Sequence, residues 1–291
     1  MIKIKRIVLQ MMYIYLRIRI KLGKKIDIST VEESLEKLAE SDKSLARFGD
    51  GEFNVIHGGK IGFQDKNREL GNRLRWVLTH PIENCFIAVP DAINNYDNLT
   101  EESFAFWVKN MSRCRGEWTK LLSKEEKYLS TNMTRLYIRY KNKENCGENF
   151  SRLMSLWRDK DVLLVEGKAT ALGVGNGLLG TANSVIRILC PPSNAFEKYG
   201  LILETVKKYA DGRLILLALG PTATILAYDL SLLGYRALDI GHCDIEYEWY
   251  LQGAKSKVAI RNKYVNEVKN GDKTEAVNDE TYREQIVEEI G

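Results

Sequence analysis

The chain has 291 residues, of which 44% are apolar and 28% charged, with 22 glycines and only 5 prolines. That composition excludes collagen-like, Pro-rich and low-complexity classes and leaves a globular protein long enough to bury a substantial core. The net charge of +4 is unevenly spread: Lys3, Lys5, Arg6, Arg17, Arg19, Lys21, Lys24 and Lys25 all precede the first acid, Asp27, so the body behind them is net acidic, which excludes a body that tracks nucleic-acid phosphates.

Among these leading cations lie Ile7, Val8, Leu9, Met11, Met12, Ile14, Leu16, Ile18 and Ile20, and the longest uncharged stretch, 7–16, falls well short of the roughly 20 apolar residues of a membrane span. The pattern predicts a basic amphipathic helix as a leader over 1–27, either lying on an anionic bilayer surface or capping the body. Positions 17–25 offer no small-residue cleavage site, and Cys85, Cys114, Cys146, Cys190 and Cys243 form no C-x-x-C pair. Both features point to the cytoplasm, at most peripheral at the inner face of the membrane, without zinc or disulfides. No linker divides the remainder, which reads as one domain over 28–270 with an acidic tail over 271–291.

Ser29-Thr30-Val31-Glu32-Glu33 carries cap residues followed by acids and opens a helix over 29–40. A strand at 45–48 runs into Gly49-Asp50-Gly51-Glu52. Leu70, Leu74, Val77 and Leu78 stand at helical spacing within 66–78, and Cys85-Phe86-Ile87-Ala88-Val89 reads as a buried strand. The aromatic-rich stretch 100–140 has helical periodicity and reads as core. Beyond it, apolar runs at 161–166, 184–190, 214–219 and 236–240 alternate with helical segments that include 195–209 and 222–233. This alternation implies an α/β fold: a Rossmann-like, mostly parallel sheet with helices on both faces. Ligands of such sheets bind beyond the carboxyl ends of the strands.

The strand ends therefore hold the candidate site. Asp50 and Glu52 project on the same side of an extended or turning segment, and two close carboxylates repel unless a cation sits between them. They are candidates for Mg²⁺ or Mn²⁺; a solvated acidic turn is the alternative. Gly175, Gly177 and Gly180 match G-x-G-x-x-G, but not directly after a strand, so this is a Gly-rich loop beside phosphate or sugar, or a plain loop. Gly220-Pro221-Thr222 opens a helix and is either an anion site or an ordinary cap. In 239–249, His242, Asp244, Glu246 and Glu248 alternate with less polar neighbours and share a face if the segment is extended. They could complete a metal shell or supply a general base, or form a polar loop. His57 and His80 lie outside such clusters and read as structural or surface residues.

Five segments in this order resemble the bacterial glycosyltransferases of the GT-D fold: Arg47-Phe48-Gly49-Asp50-Gly51-Glu52, Gly173-Val174-Gly175-Asn176, the run from Cys190 to Phe196, Gly220-Pro221-Thr222-Ala223-Thr224, and the run from Asp239 to Trp249. Lys263-Tyr264-Val265-Asn266-Glu267 also looks like that family. The resemblance implies a nucleotide-sugar-dependent transferase with a D-x-E metal motif at Asp50 and Glu52. On this reading the donor is a UDP-sugar, contacted by Arg47, Gly49, Gly173, Gly175, Asn176, Asn194, Gly220 and Thr222, and the metal is Mn²⁺ or Mg²⁺. Glu248, or else Asp244, would take the proton of a hydroxyl on a glycan, glycoprotein or lipid-linked acceptor, with His242 near the metal or diphosphate. Thr170-Ala171 and Gly177 depart from the family, where Ser-Arg and Asp are frequent. A rival reading is an NAD(P)-dependent oxidoreductase on the Gly175 loop; another is a non-catalytic nucleotide sensor.

Overall fold

The computed structural model describes residues 2–269, 271 and 278–291. The leader is a helix, α1 (Ile2–Leu22), followed by β1 (Asp27–Ile28), α2 (Val31–Ala39), β2 (Ser44–Arg47), α3 (Asp50–Ile56), α4 (Arg68–Thr79) and β3 (Cys85–Val89). Next come α5 (Glu101–Leu121), β4 (Lys127–Ser130), α6 (Cys146–Ser155), β5 (Asp161–Gly167), β6 (Ser184–Cys190), α7 (Tyr199–Tyr209) and β7 (Leu214–Ala218). They are followed by α8 (Pro221–Leu232), β8 (Ala237–Asp239), α9 (Cys243–Leu251), the short α10 (Glu280–Gln285) and β9 (Ile286–Glu289).

The strands form one sheet in the order β1-β4-β3-β2-β8-β7-β5-β6-β9, and every pairing between them is parallel. Side chains alternate across the sheet, so one strand feeds two cores. Leu163, Val165, Ile215 and Leu217 enter the core on one face, and Val162, Leu164, Leu214 and Leu216 the core on the other. Helix α8 is apolar nearly all round and lies buried against β2 and β8, starting with Pro221 in its first turn, where a missing N–H costs nothing. From β2 the chain builds outward through β3 and β4; from β5 it returns through β7 to β8, beside β2. The order therefore reverses between β2 and β8, the place where parallel α/β sheets open a ligand crevice.

The leader caps the body. Leu16 is fully buried, Leu9, Met12, Tyr13 and Ile20 pack against the same core, and α1 lies along α5. Tyr13 meets Tyr96 and Phe104 edge-on, with ring centroids 5.6 and 4.9 Å apart. At the carboxyl end of α1, buried Arg115 donates to the carbonyl oxygens of Arg19, Lys24 and Ile93, so a cation meets the negative end of the helix.

Four expectations need correction. The stretch 100–140 is helical only through α5; β4 and a 3-10 turn at Thr131–Thr134 follow, because the core there is formed by a short strand whose aromatic neighbours mimic helical spacing. Residues 286–289 are not tail: β9 pairs with β6, and Tyr282 of α10 packs over the Arg187 guanidinium at 4.9 Å. Asp50 and Glu52 stand in the first turn of α3 rather than in an extended segment. Likewise Asp244, Glu246 and Glu248 lie on α9, whose period separates Glu246 from the other two.

Candidate active site

A cavity of about 440 Å³ opens at the β2/β8 reversal, within the range of small-molecule sites. Strand β2 delivers Arg47, and α3 delivers Asp50 and Glu52. Gly49 caps that helix, and its N–H donates to a Glu52 carboxylate oxygen at 2.7 Å, so Glu52 turns back on its own helix start. Burial, with Asp239 adding repulsion, pushes Glu52 up to about 7. No hydrogen bond or ion pair engages the Asp50 carboxylate among the described residues. Arg47 crosses to Asp239 at the end of β8, 3.3 Å away, and Thr224 of α8 donates to the Arg47 carbonyl oxygen at 2.9 Å. Gly241 makes room for this arginine: its φ is 50°, and a Cβ there would lie 2.1 Å from an Arg47 nitrogen.

Cations the sequence reading did not single out line the same cavity: Arg135, Arg139 and Lys257. Arg135 is nearly fully buried and pairs with Glu246 at 3.1 Å and with Glu267. Lys257 reaches Glu267 at 2.8 Å. Burial works against the Glu267 carboxylate, yet Arg135 and Lys257 hold it well below the usual range. Arg139 differs. It has no carboxylate partner among the described residues, lies 5.7 Å over the Trp107 ring and donates to the Asn132 side chain at 3.3 Å. Burial, reinforced by Arg135, pulls its pKa down. Two cations four residues apart among aromatics are the sequence signal for these arginines, in a stretch whose aromatic periodicity points to core.

His242 lines the cavity; among the described residues its Nε2 makes no hydrogen bond and lies 3.8 Å from a Glu267 carboxylate oxygen. Burial, with Arg135 next, pushes it down to about 3, so the imidazole is neutral at pH 7. Gly220 also lines the cavity, at φ 54°, under the Phe63 ring of the loop between α3 and α4. Asn194 lines it as well and ties that loop down, accepting from the Asp65 N–H at 2.8 Å.

The remaining sequence candidates form a network behind the cavity. Asp244 reaches the wall, yet it accepts from Lys263 at 2.8 and 3.0 Å, from the Gly173 N–H at 2.8 Å and from Asn176 at 2.9 Å. Glu248 is outside the lining and pairs with Lys263 and Asn176 at 2.9 and 2.7 Å. The expected base residues are thus both held by Lys263, and the expected donor contacts Gly173 and Asn176 serve the same network. Gly175 lies in this loop, outside the lining, with open space where a Cβ would project. The G-x-G-x-x-G glycines lead into no helix, which removes the geometry a dinucleotide fingerprint needs. Thr222 is fully buried, outside the lining, and its hydroxyl makes no hydrogen bond among the described residues.

Residues 45–268 match the family model described as the glycosyltransferase GT-D fold. The chain is 39% identical over 266 residues to the glycosyltransferase GlyD of Streptococcus pneumoniae serotype 4, covering 91% of this chain and 33% of that protein. It is 38% identical over 273 residues to a probable glycosyl transferase Gly of Streptococcus gordonii, covering 91% of this chain and 39% of that one. It therefore spans well under half the length of both relatives. A solved structure described as the highly conserved domain of unknown function 1792 with a distinct glycosyltransferase fold superposes with a TM-score of 0.89 at 36% identity, covering 96% of this chain and 100% of that one. A second, described as a new glycosyltransferase with the same domain from Streptococcus sanguinis, gives 0.87 at 37% identity over 92% and 100% of the two chains. With the family model spanning most of the sequence and the fold shared throughout, the chain belongs to the GT-D-fold glycosyltransferase family.

Proposed function

We propose that the chain transfers a sugar from a UDP-sugar to a hydroxyl of a glycan, glycoprotein or lipid-linked acceptor, with Mg²⁺ or Mn²⁺ held by Asp50 and Glu52. The observation that carries the reading is charge placement: Asp50, which forms no ion pair among the described residues, and Glu52, pushed up to about 7 by burial, line a cavity that also holds Arg47, Arg139 and Lys257. Among the described residues no cluster of three metal-ligating side chains is preassembled. Two carboxylates still fit a hard cation, which commonly takes one or two protein carboxylates and completes its shell with substrate phosphates and water. Such an ion, when bound, neutralises charge on the departing diphosphate.

The protein's own groups do the rest. Arg139, which forms no ion pair with a carboxylate among the described residues, binds diphosphate oxygens, and Arg47 on the same cavity wall is held by Asp239. Preorganised cations in a half-enclosed site stabilise the charge that develops as the sugar leaves. Neutral His242 presents its Nε2, which makes no hydrogen bond among the described residues, as a hydrogen-bonding group that adds no charge. Asp244 and Glu248 act as positioning residues, holding the Gly173 loop through Lys263 and Asn176.

Isothermal titration of UDP with and without Mn²⁺ tests the proposal. UDP binding should tighten with Mn²⁺ in the native protein, and Asp50→Asn should abolish that gain while circular dichroism stays unchanged. A metal gain that survives in Asp50→Asn would overturn the assignment.

A further inference from the structure

The leader helix has two apolar faces, and the body covers only one. Leu9, Met12, Tyr13, Leu16 and Ile20 turn inward. Ile7, Met11, Ile14, Tyr15, Ile18 and Leu22 recur every three or four residues and are each at least half exposed, with Leu22 at 80%. At about 100° per residue these six occupy one stripe, roughly a third of the circumference, opposite the docked face. Arg6, Arg17 and Lys21 flank the stripe on one side and Arg19 on the other, all exposed. Helix α1 contains no acid.

We infer that the outward face of α1 docks on an anionic lipid bilayer and lies in its interface with the helix axis parallel to the surface. Three observations select this occupant. A monomer's solvent face does not ordinarily carry a contiguous row of large apolar side chains, so the stripe is a contact surface. Its charged neighbours all have one sign, as lipid headgroups of the opposite sign require, whereas a second copy of the same stripe would bring cations against cations. The helix is not apolar enough to cross a membrane. The docked face fixes the geometry: α1 is clamped by Arg115 and by Tyr13 on Phe104, and the same end of α5 sends Phe106 and Trp107 to the cavity wall. A bilayer held by α1 therefore sits one helix away from the site. The inference is independent of the proposed transferase chemistry.

Co-sedimentation with vesicles tests it, using equal parts phosphatidylglycerol and phosphatidylcholine against phosphatidylcholine alone. The full chain should pellet with the anionic vesicles only, and raised salt should release it. The double variant Met11→Asp, Ile18→Asp should lose at least about tenfold in partition, and Arg17→Gln with Lys21→Gln about fivefold per cation removed. These positions are exposed, so UDP binding and thermal unfolding should match the native chain. Equal partition of native and double-variant protein would overturn the inference. So would a dimer in light scattering that the double variant abolishes, which would make a second copy the occupant.

Discussion

Strands β2 and β8 are neighbours in the sheet, and each runs into a glycine-containing turn and then a helix that begins with acids. After β2 the acids are Asp50 and Glu52, and after β8 they are Asp244 and Glu246. The two sets look alike in sequence and end in opposite states. Among the described residues Asp50 makes no hydrogen bond or ion pair and lines the cavity, whereas Asp244 is saturated by Lys263, Asn176 and a backbone N–H. Glu246 is fully buried and accepts from the Tyr137 and Ile138 N–H groups at 2.9 Å while pairing with Arg135. Carboxylates held by buried cations and backbone N–H groups keep a site in shape. One left unanswered beside a cavity is available to a ligand.

The largest effect expected from this contrast falls on the saturated side. Lys263→Met leaves Asp244 and Glu248 facing each other without their shared cation, and breaking a buried pair by removing one partner costs about 3–5 kcal/mol. Urea unfolding should show that loss as a lower midpoint. Adding Asp244→Asn to the same chain should recover part of it, since the orphaned charge is then gone. A midpoint unchanged in Lys263→Met would mean that the network is not what holds the loop.

On the unsaturated side, Asp50→Asn should leave the unfolding midpoint within about 0.5 kcal/mol of the native value, because it removes no partner. Turnover of a UDP-sugar should instead fall by about 10²–10³-fold, the scale of losing one preorganised electrostatic group. The comparison breaks if the two variants exchange phenotypes, with Asp50→Asn unfolding and Lys263→Met merely slow.

Two glycines sharpen it further. Gly241 and Gly175 both have positive φ, 50° and 73°, so an alanine at either is strained by about 1–2 kcal/mol. Only at Gly241 would the new methyl meet a site residue, Arg47; at Gly175 it meets open space. Gly241→Ala should therefore also weaken UDP binding by about tenfold, the equivalent of about 1.4 kcal/mol, while Gly175→Ala should leave binding alone. Titration calorimetry on the pair separates strain from displacement.

Much of the sheet was legible because its central strands are continuous apolar runs closed by glycine or proline. The runs at 85–89, 161–166, 184–190 and 214–219 each became a strand within a residue or so at either end. What escaped was set by tertiary context. The outer strands β1, β4 and β9 are too short to show a period, and β9 belongs to the sheet only because β6 offers it an unpaired edge. In the site, Gly49, Asp50, Glu52, Gly220 and His242 line the cavity from the strand ends that pointed to them, and Arg47 and Asn194, which only the family resemblance named, line it too. The alternation around His242 misled because the period of two belongs to a strand and α9 is a helix, which sends Glu246 and Glu248 to different partners. Arg135, Arg139 and Lys257 were invisible as a set, since only the fold brings the segments that carry them to one wall.

The smallest effect concerns pH, and its sign follows from which groups fold into a shifted state. His242 is pushed down to about 3 from an ordinary 6.5, so the unfolded chain binds its proton more readily and stability rises as pH climbs through that interval. Glu52, pushed up to about 7 by burial and by Asp239, and Asp91, pushed up to about 6 by burial, act in the opposite sense. They stay neutral in the folded state while the unfolded chain ionises, and stability falls as pH rises through their folded values. Between about pH 4.5 and 6.5 these contributions oppose one another, and each full proton is worth at most about 1.4 kcal/mol per pH unit. The native chain, stripped of metal by a chelator, should therefore lose stability over that window, with His242 offsetting part of the loss. His242→Asn removes the rising contribution, so its urea midpoint should decline more steeply than the native one as pH increases from 4.5 to 6.5. Parallel profiles for the two proteins would show that His242 is not held neutral by burial among the arginines, and the cavity's cations would then have to be partnered more fully than Arg139 is.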